Sequence, residues 1–170
     1  GTSGAVLFAT REDVWERLRA AFSQHRVEKT YRAIVYGRLD GDGEAHLPLL
    51  TARHRPARVR VASEAERQRA RGVRIASLHW SALEAFGDAT LLEVRPVTGF
   101  LHQIRVILAH LGFPLVGDAT YGSTPDPLGA TRHMLHASRV AFEEIEASAP
   151  DAPDFAALLD ALRSPSRSRT

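Results

Sequence analysis

Arg105 stands where local electrostatics argue against a cation. The spacing from His102 to Leu111 predicts a helix with Ile104, Ile107, Leu108 and Leu111 on one apolar stripe and Gly112 just past its end. The arginine then falls in the first turn, where the positive end of the helix dipole disfavours it by roughly 0.3–1 kcal/mol when exposed. Such a guanidinium either lays its stem along the surface and reaches solvent, or it meets an anion. Its neighbours suit the second role. Thr98-Gly99 form a turn ahead of it, His102 and Gln103 carry side chains that both donate and accept, and Gly117-Asp118 and Tyr121-Gly122 follow at close range. The chemistry open to the group is recognition of a carboxylate, which guanidinium grips through two parallel hydrogen bonds while staying charged when buried.

The elements that must position these residues are readable from periodicity. Thr10 is expected to cap a helix over 11–24, with Asp13 three residues on in a capping box and Val14, Leu18, Ala21 and Phe22 on one face. Residues 30–37, 74–83, 89–97 and 134–142 are predicted strands, and 39–43 is turn-rich. The charged segment 51–71 is expected to be a hairpin or a mobile insertion. Residues 151–163 are a predicted helix with Phe155, Leu158, Leu159 and Leu162 facing inward. Strands and helices without a regular βαβ rhythm define an α+β domain, a mostly antiparallel mixed sheet with flanking helices, over 1–163. The polar SPSRSRT tail, 164–170, is expected to be disordered.

At 170 residues the chain is the size of one domain, large enough to bury about 70% of the surface of its unfolded chain. It has no cysteine, which excludes a disulfide framework and cysteine-based metal or nucleophile chemistry and fits a reducing cytoplasm. The eight histidines lack ligand spacing with carboxylates, so neither a metal nor a cofactor is expected. No apolar stretch is long enough to span a membrane. The net charge of +2 conceals a strong bias: residues 53–74 hold eight arginines against Glu64 and Glu66, whereas 141–162 hold six acidic residues and no arginine or lysine. Arg53, Arg55, Arg58, Arg60, Arg69 and Arg71 are therefore candidates for phosphate contacts, the alternative being a solvated surface segment.

TGFLHQIRVILAHLGFPLVGDATYG, residues 98–122, resembles the most diagnostic block of the RluA-like pseudouridine synthases, TGRxHQIRxHLxxxGHPxxGDxxYG. Phe100 stands where that pattern has arginine, Ile107 replaces the histidine two positions after its HQIR arginine, and Phe113 replaces the histidine before proline. Three further segments resemble the family. Glu28 to Ala33 is similar to its K-x-Y-x-A strand, residues 72–80 to the strand after its basic insertion, and Arg132 to Ala137 to the block whose leucine lines the base pocket. Gly1-Thr2-Ser3-Gly4 resembles the end of the HRLDxxTSG motif, whose nucleophilic aspartate lies three positions before the threonine and so outside these 170 residues.

The resemblance implies the synthase catalytic fold, with a central RNA-binding cleft, and isomerisation of uridine to pseudouridine in ribosomal or transfer RNA by a monomer. Breaking the N-glycosidic bond and rejoining the base through carbon 5 requires a nucleophile, a base for the carbon 5 proton and a dry pocket for a flipped base. By resemblance Tyr31 stacks on the uracil and takes part in proton removal, Arg105 holds the nucleophile ionised, Leu135 lines the base pocket, and Thr2, His102 and Gln103 contact substrate. His102 and Gln103 also serve as helix-capping candidates, and Asp118 is assigned to a structural turn. With the nucleophile outside the sequence, Arg105 is expected to be mobile, or bound to water or a stray anion, and the 170 residues alone to be inactive. A synthase-like module that binds RNA without chemistry is the alternative.

Overall fold

The computed structural model describes residues 1–54, 56–69 and 71–164, with the backbone alone at Arg53 and His54. Arg55 and the tail from 165 onward, both subjects of expectations above, lie outside the described residues. Among the described residues the elements are β1 (Ser3–Gly4), α1 (Glu12–Ser23), β2 (Glu28–Tyr36), β3 (Asp42–His54), β4 (Ala57–Val61), α2 (Glu64–Arg69), β5 (Arg74–Phe86), β6 (Ala89–Pro96), α3 (Gln103–His110), β7 (Leu135–Phe142), β8 (Ile145–Ser148) and α4 (Pro153–Arg163). None of these helices is long and apolar enough to cross a membrane.

The strands form one mixed sheet in the order β1-β7-β2-β6-β5-β3-β4, with β8 also paired to β7. Only β1 runs parallel to its neighbour, through Ser3 opposite His136; the other pairings are antiparallel. The period-2 alternation of strand side chains sends neighbouring residues to opposite faces. In β2, Ala33 and Val35 pack with Ile104, Ile107 and Leu108 of α3, whereas Ile34 packs with Phe155 and Leu159 of α4. β6 divides likewise, Leu92 and Val94 toward α3 and Ala89 and Leu91 toward α4. Helices on both faces thus bury the central strands twice over. A third cluster seats α1 through Leu18 and Ala21 on Val27, Val140 and Phe142.

Several expectations are corrected here. Arg11 rather than Thr10 occupies the N-cap of α1, without a side-chain cap because a guanidinium has no acceptor to offer the first amides, and its Nε donates to the Asp13 carboxylate at 3.0 Å instead. Leu111 lies past the last turn of α3 and is exposed, and Val106 is buried instead. Of segment 51–71, expected as a hairpin or a mobile insertion, the described residues take the first form: β3 pairs with β4, and α2 follows. β3 begins well before it, at Asp42, and pairs with β5 from Asp42 opposite Ser81 to Leu49 opposite Arg74.

Candidate active site

Strand β2 delivers the first two groups. Lys29 and Tyr31, two positions apart on an extended strand, share one face and line the same cleft. Burial pushes the Tyr31 phenol above its usual range, so the hydroxyl keeps its proton. Burial pushes the Lys29 ammonium down, and its Nζ donates to the Thr98 carbonyl at 3.1 Å.

That carbonyl belongs to a clasp that sets the start of α3. Gln103 Nε2 donates to the same Thr98 oxygen at 3.0 Å, while Gln103 Oε1 accepts from the Thr98 hydroxyl at 2.8 Å and the Phe100 amide at 2.7 Å. The Thr98 hydroxyl in turn accepts the Ser77 amide of β5 at 2.9 Å. Gln103 is buried, 4% exposed, so its polar atoms need these partners to offset their desolvation. The N-cap is His102, in the left-handed region at φ 56° and with no side-chain cap, which corrects the capping role expected of it. Its Nδ1 lies 3.0 Å from the Tyr121 hydroxyl.

Arg105 is in the first turn of α3, as the spacing requires, but it is not without a partner. Its Nε and Nη2 donate to the two carboxylate oxygens of Asp118 at 2.7 and 2.6 Å, and the guanidinium lies 4.9 Å from the centre of the Tyr121 ring. Asp118 is a turn residue too, since Oδ1 accepts the amides of Thr120 and Tyr121 at 3.0 and 3.1 Å. Burial acts to raise the Asp118 carboxyl, yet the guanidinium and these amides together hold it below the usual range. The turn is made possible by Gly117 at φ +75°, where an added Cβ would lie 1.9 Å from the Arg132 carbonyl.

The other wall comes from the two ends of the fold. Leu135, at the start of β7, is buried beneath the cleft, and Thr2 reaches His133 Nε2 through its hydroxyl at 3.0 Å. Burial, reinforced by the positive charge of Arg105, lowers His133 to about 4, and the same two causes lower His102. The cleft measures about 580 Å³. Thr2, Tyr31, His102, Gln103, Arg105 and Leu135, the site candidates named from sequence outside the arginine-rich segment, all line it, so Arg105 bound to Asp118 still faces the same space as Tyr31 and Leu135. Among the described residues, Arg58, Arg60, Arg67, Arg69, Arg71 and Arg74 do not line it. Arg58 donates to the Thr120 carbonyl at 3.3 Å, Arg60 pairs with Glu66, and Arg69 and Arg71 are exposed.

Lys29, Phe22, Phe100 and His133 also line the cleft and were not assigned to it from sequence. For Lys29 the signal was present, since a residue two before Tyr31 on a strand must share its face. Helical spacing places Phe22 on the inward face of α1, yet it is 41% exposed at the cleft. No group of three or more His, Asp or Glu side chains stands together in metal-binding geometry among the described residues.

Residues 1–110 match the family described as RNA pseudouridylate synthase, and the chain belongs to that family. It is 37% identical over 137 residues to an uncharacterized RNA pseudouridine synthase of Chloroflexus aurantiacus, covering 81% of this chain and 41% of that protein. It is 36% identical over 180 residues to the ribosomal large subunit pseudouridine synthase D of Xanthomonas campestris, covering 95% of this chain and 52% of that protein. The chain thus spans about half the length of these relatives. Among solved structures, human RNA pseudouridylate synthase domain containing 4 superposes with a TM-score of 0.71 at 23% identity, covering 90% of this chain and 69% of that one. Human RNA pseudouridylate synthase domain containing 1 gives 0.68 at 22% identity, covering 96% and 81%. The α+β architecture is that of the pseudouridine synthase fold.

Proposed function

We propose that these residues are the catalytic domain of an RNA pseudouridine synthase that isomerises uridine in ribosomal or transfer RNA. The observation that carries the reading is convergence: Thr2, Tyr31, Arg105 and Leu135, from segments far apart in sequence, line one cleft. A relative at 36% identity is named for the ribosomal large subunit, which favours ribosomal RNA as the substrate.

The chemistry follows from the side chains. A flipped uracil placed between the Tyr31 ring and Leu135 leaves water behind, as attack on the glycosidic carbon requires. The family's aspartate, three positions ahead of Thr2, would join the chain at the cleft edge formed by Gly1 and Thr2. Asp118 engages Nε and Nη2 of Arg105, and Nη1 is the donor the guanidinium keeps for that second carboxylate. After the base turns and carbon 5 bonds to the sugar, the carbon 5 proton leaves and N1 of the base gains one, so atoms and charge balance. Tyr31, which faces the cleft and whose phenol burial pushes above its usual range, relays that proton through its hydroxyl.

The test is release of tritium from RNA carrying 5-tritiated uridine. A protein bearing His-Arg-Leu-Asp ahead of the Thr2 motif releases it, and the 170 residues alone do not. RNA binding with no release from either form would establish the alternative, a synthase-like module that binds RNA without chemistry.

A further inference from the structure

Tyr121, on the loop after α3, touches three parts of the molecule at once. Its phenol oxygen accepts the Val59 amide of β4 at 2.9 Å and lies 3.0 Å from His102 Nδ1. The Arg105 guanidinium sits over its ring, and the His102 imidazole meets that ring edge-on with centres 5.8 Å apart. Its amide donates to the same Asp118 oxygen that Arg105 grips. One side chain thus ties the β3–β4 hairpin to two residues of the cleft.

The Val59 amide occupies one lone pair of the phenol oxygen and leaves the hydroxyl proton to be placed. With the Val59 amide already donated to it, the phenol has its own proton to give, and His102 Nδ1 is within reach. That donation leaves the imidazole proton on Nε2. It also anchors His102 in a left-handed backbone conformation that residues other than glycine seldom adopt.

We propose that Tyr121 is a positioning residue for this site: its ring sets the plane of the Arg105 guanidinium, and its hydroxyl fixes the His102 tautomer while pinning the β3–β4 hairpin against α3. The proposal rests on the reading of the cleft as the uridine site. Its consequence is that ring and hydroxyl have separable duties. A phenylalanine would fill the same volume and keep the ring face, so it removes only the second duty.

The experiment compares Tyr121→Phe and Tyr121→Leu. By NMR on the 170 residues, the wild type carries the His102 proton on Nε2, a protected Val59 amide, and an Arg105 Nε–H shifted by the aromatic ring. Tyr121→Phe should keep the Arg105 shift, speed Val59 exchange by about tenfold or more and mix the His102 tautomers. Tyr121→Leu should lose the Arg105 shift as well. In the protein carrying the motif aspartate, Tyr121→Phe should lower kcat by about tenfold with KM within about twofold, and Tyr121→Leu by about a further tenfold. An unchanged His102 tautomer and Arg105 shift in both variants overturns the proposal, as does a wild-type kcat in Tyr121→Leu. Absence of tritium release from the wild type defeats the uridine reading instead, and the NMR comparison then decides the role of Tyr121 alone.

Discussion

Arg105 and Asp118 form a two-pronged ion pair at 2.7 and 2.6 Å, with side chains 11% and 0% exposed. Two charges removed from water to this degree are tolerable only as a pair. Removing one partner from a buried pair costs about 3–5 kcal/mol, because the other is left uncompensated. Asp118→Asn is therefore expected to destabilise the fold by an amount of that order. The carboxyl is held below its usual range, so its contribution is complete above the ordinary aspartate pKa and is lost as pH falls through the lowered one. Urea unfolding of wild type and Asp118→Asn should show a wide gap at pH 7 that narrows toward pH 3. A gap that does not change with pH would mean that the pair is not what Asp118 contributes. In the protein carrying the motif aspartate, Arg105→Lys should be severely impaired, since lysine keeps the charge but loses the fork that holds Asp118.

The helix that carries Arg105 was legible because apolar residues at helical spacing have few other uses, and strands β2, β5, β6 and β7 were legible from alternation. β3 was not. Pro48 interrupts its pattern, and proline within a strand argues against the assignment. The structure tolerates it because pairing with β4 begins only at Leu49, so Pro48 needs no donor on that side. The convergence of Thr2, Tyr31, Arg105 and Leu135 came from motif resemblance rather than from periodicity. Asp118 was in view as a neighbour and as a turn residue, but its pairing with Arg105 was not expected, because it returns to the helix by a turn at Gly117 and side-chain pairing across such a turn leaves no spacing signature.

Arg58, Arg60, Arg69 and Arg71 do not line the cleft, so the expected effect of the arginine-rich segment is on affinity rather than chemistry. If residues 53–74 make about four phosphate contacts to single-stranded RNA, binding should fall with salt with a log–log slope near −3. Changing Arg58, Arg60, Arg69 and Arg71 to serine should flatten it. Arg60 is already paired with Glu66, so its single change should matter least. A slope unchanged in the quadruple variant would reduce the segment to a solvated surface.

His133 offers a pH signature on the opposite wall. Burial and Arg105 lower it to about 4 from the usual 6.5, so the unfolded chain takes up a proton before the folded one does. Stability should be fullest above about pH 6.5 and decline as pH falls toward about 4, below which both states are protonated and the loss is complete. His133→Gln should shallow the decline in that window. A His133 ring that titrates at its usual value by NMR would contradict the geometry around Thr2.

Tyr31 carries the sharpest division between binding and chemistry. Its ring lies against the core beside Leu135, so Tyr31→Phe preserves the surface on which a base would stack. What it loses is the hydroxyl, whose pKa burial pushes further up. Affinity for a uridine-containing oligonucleotide should stay within about twofold, because stacking depends on the ring face. Tritium release from 5-tritiated uridine RNA, measured in the protein carrying the motif aspartate, should fall by about a hundredfold or more, the usual contribution of a positioned acid–base group. Tyr31→Ala should lose both affinity and release. A wild-type release rate in Tyr31→Phe would leave Tyr31 with packing alone and would move proton removal to another group lining the cleft, of which His133, neutral above about pH 4, is the first to test.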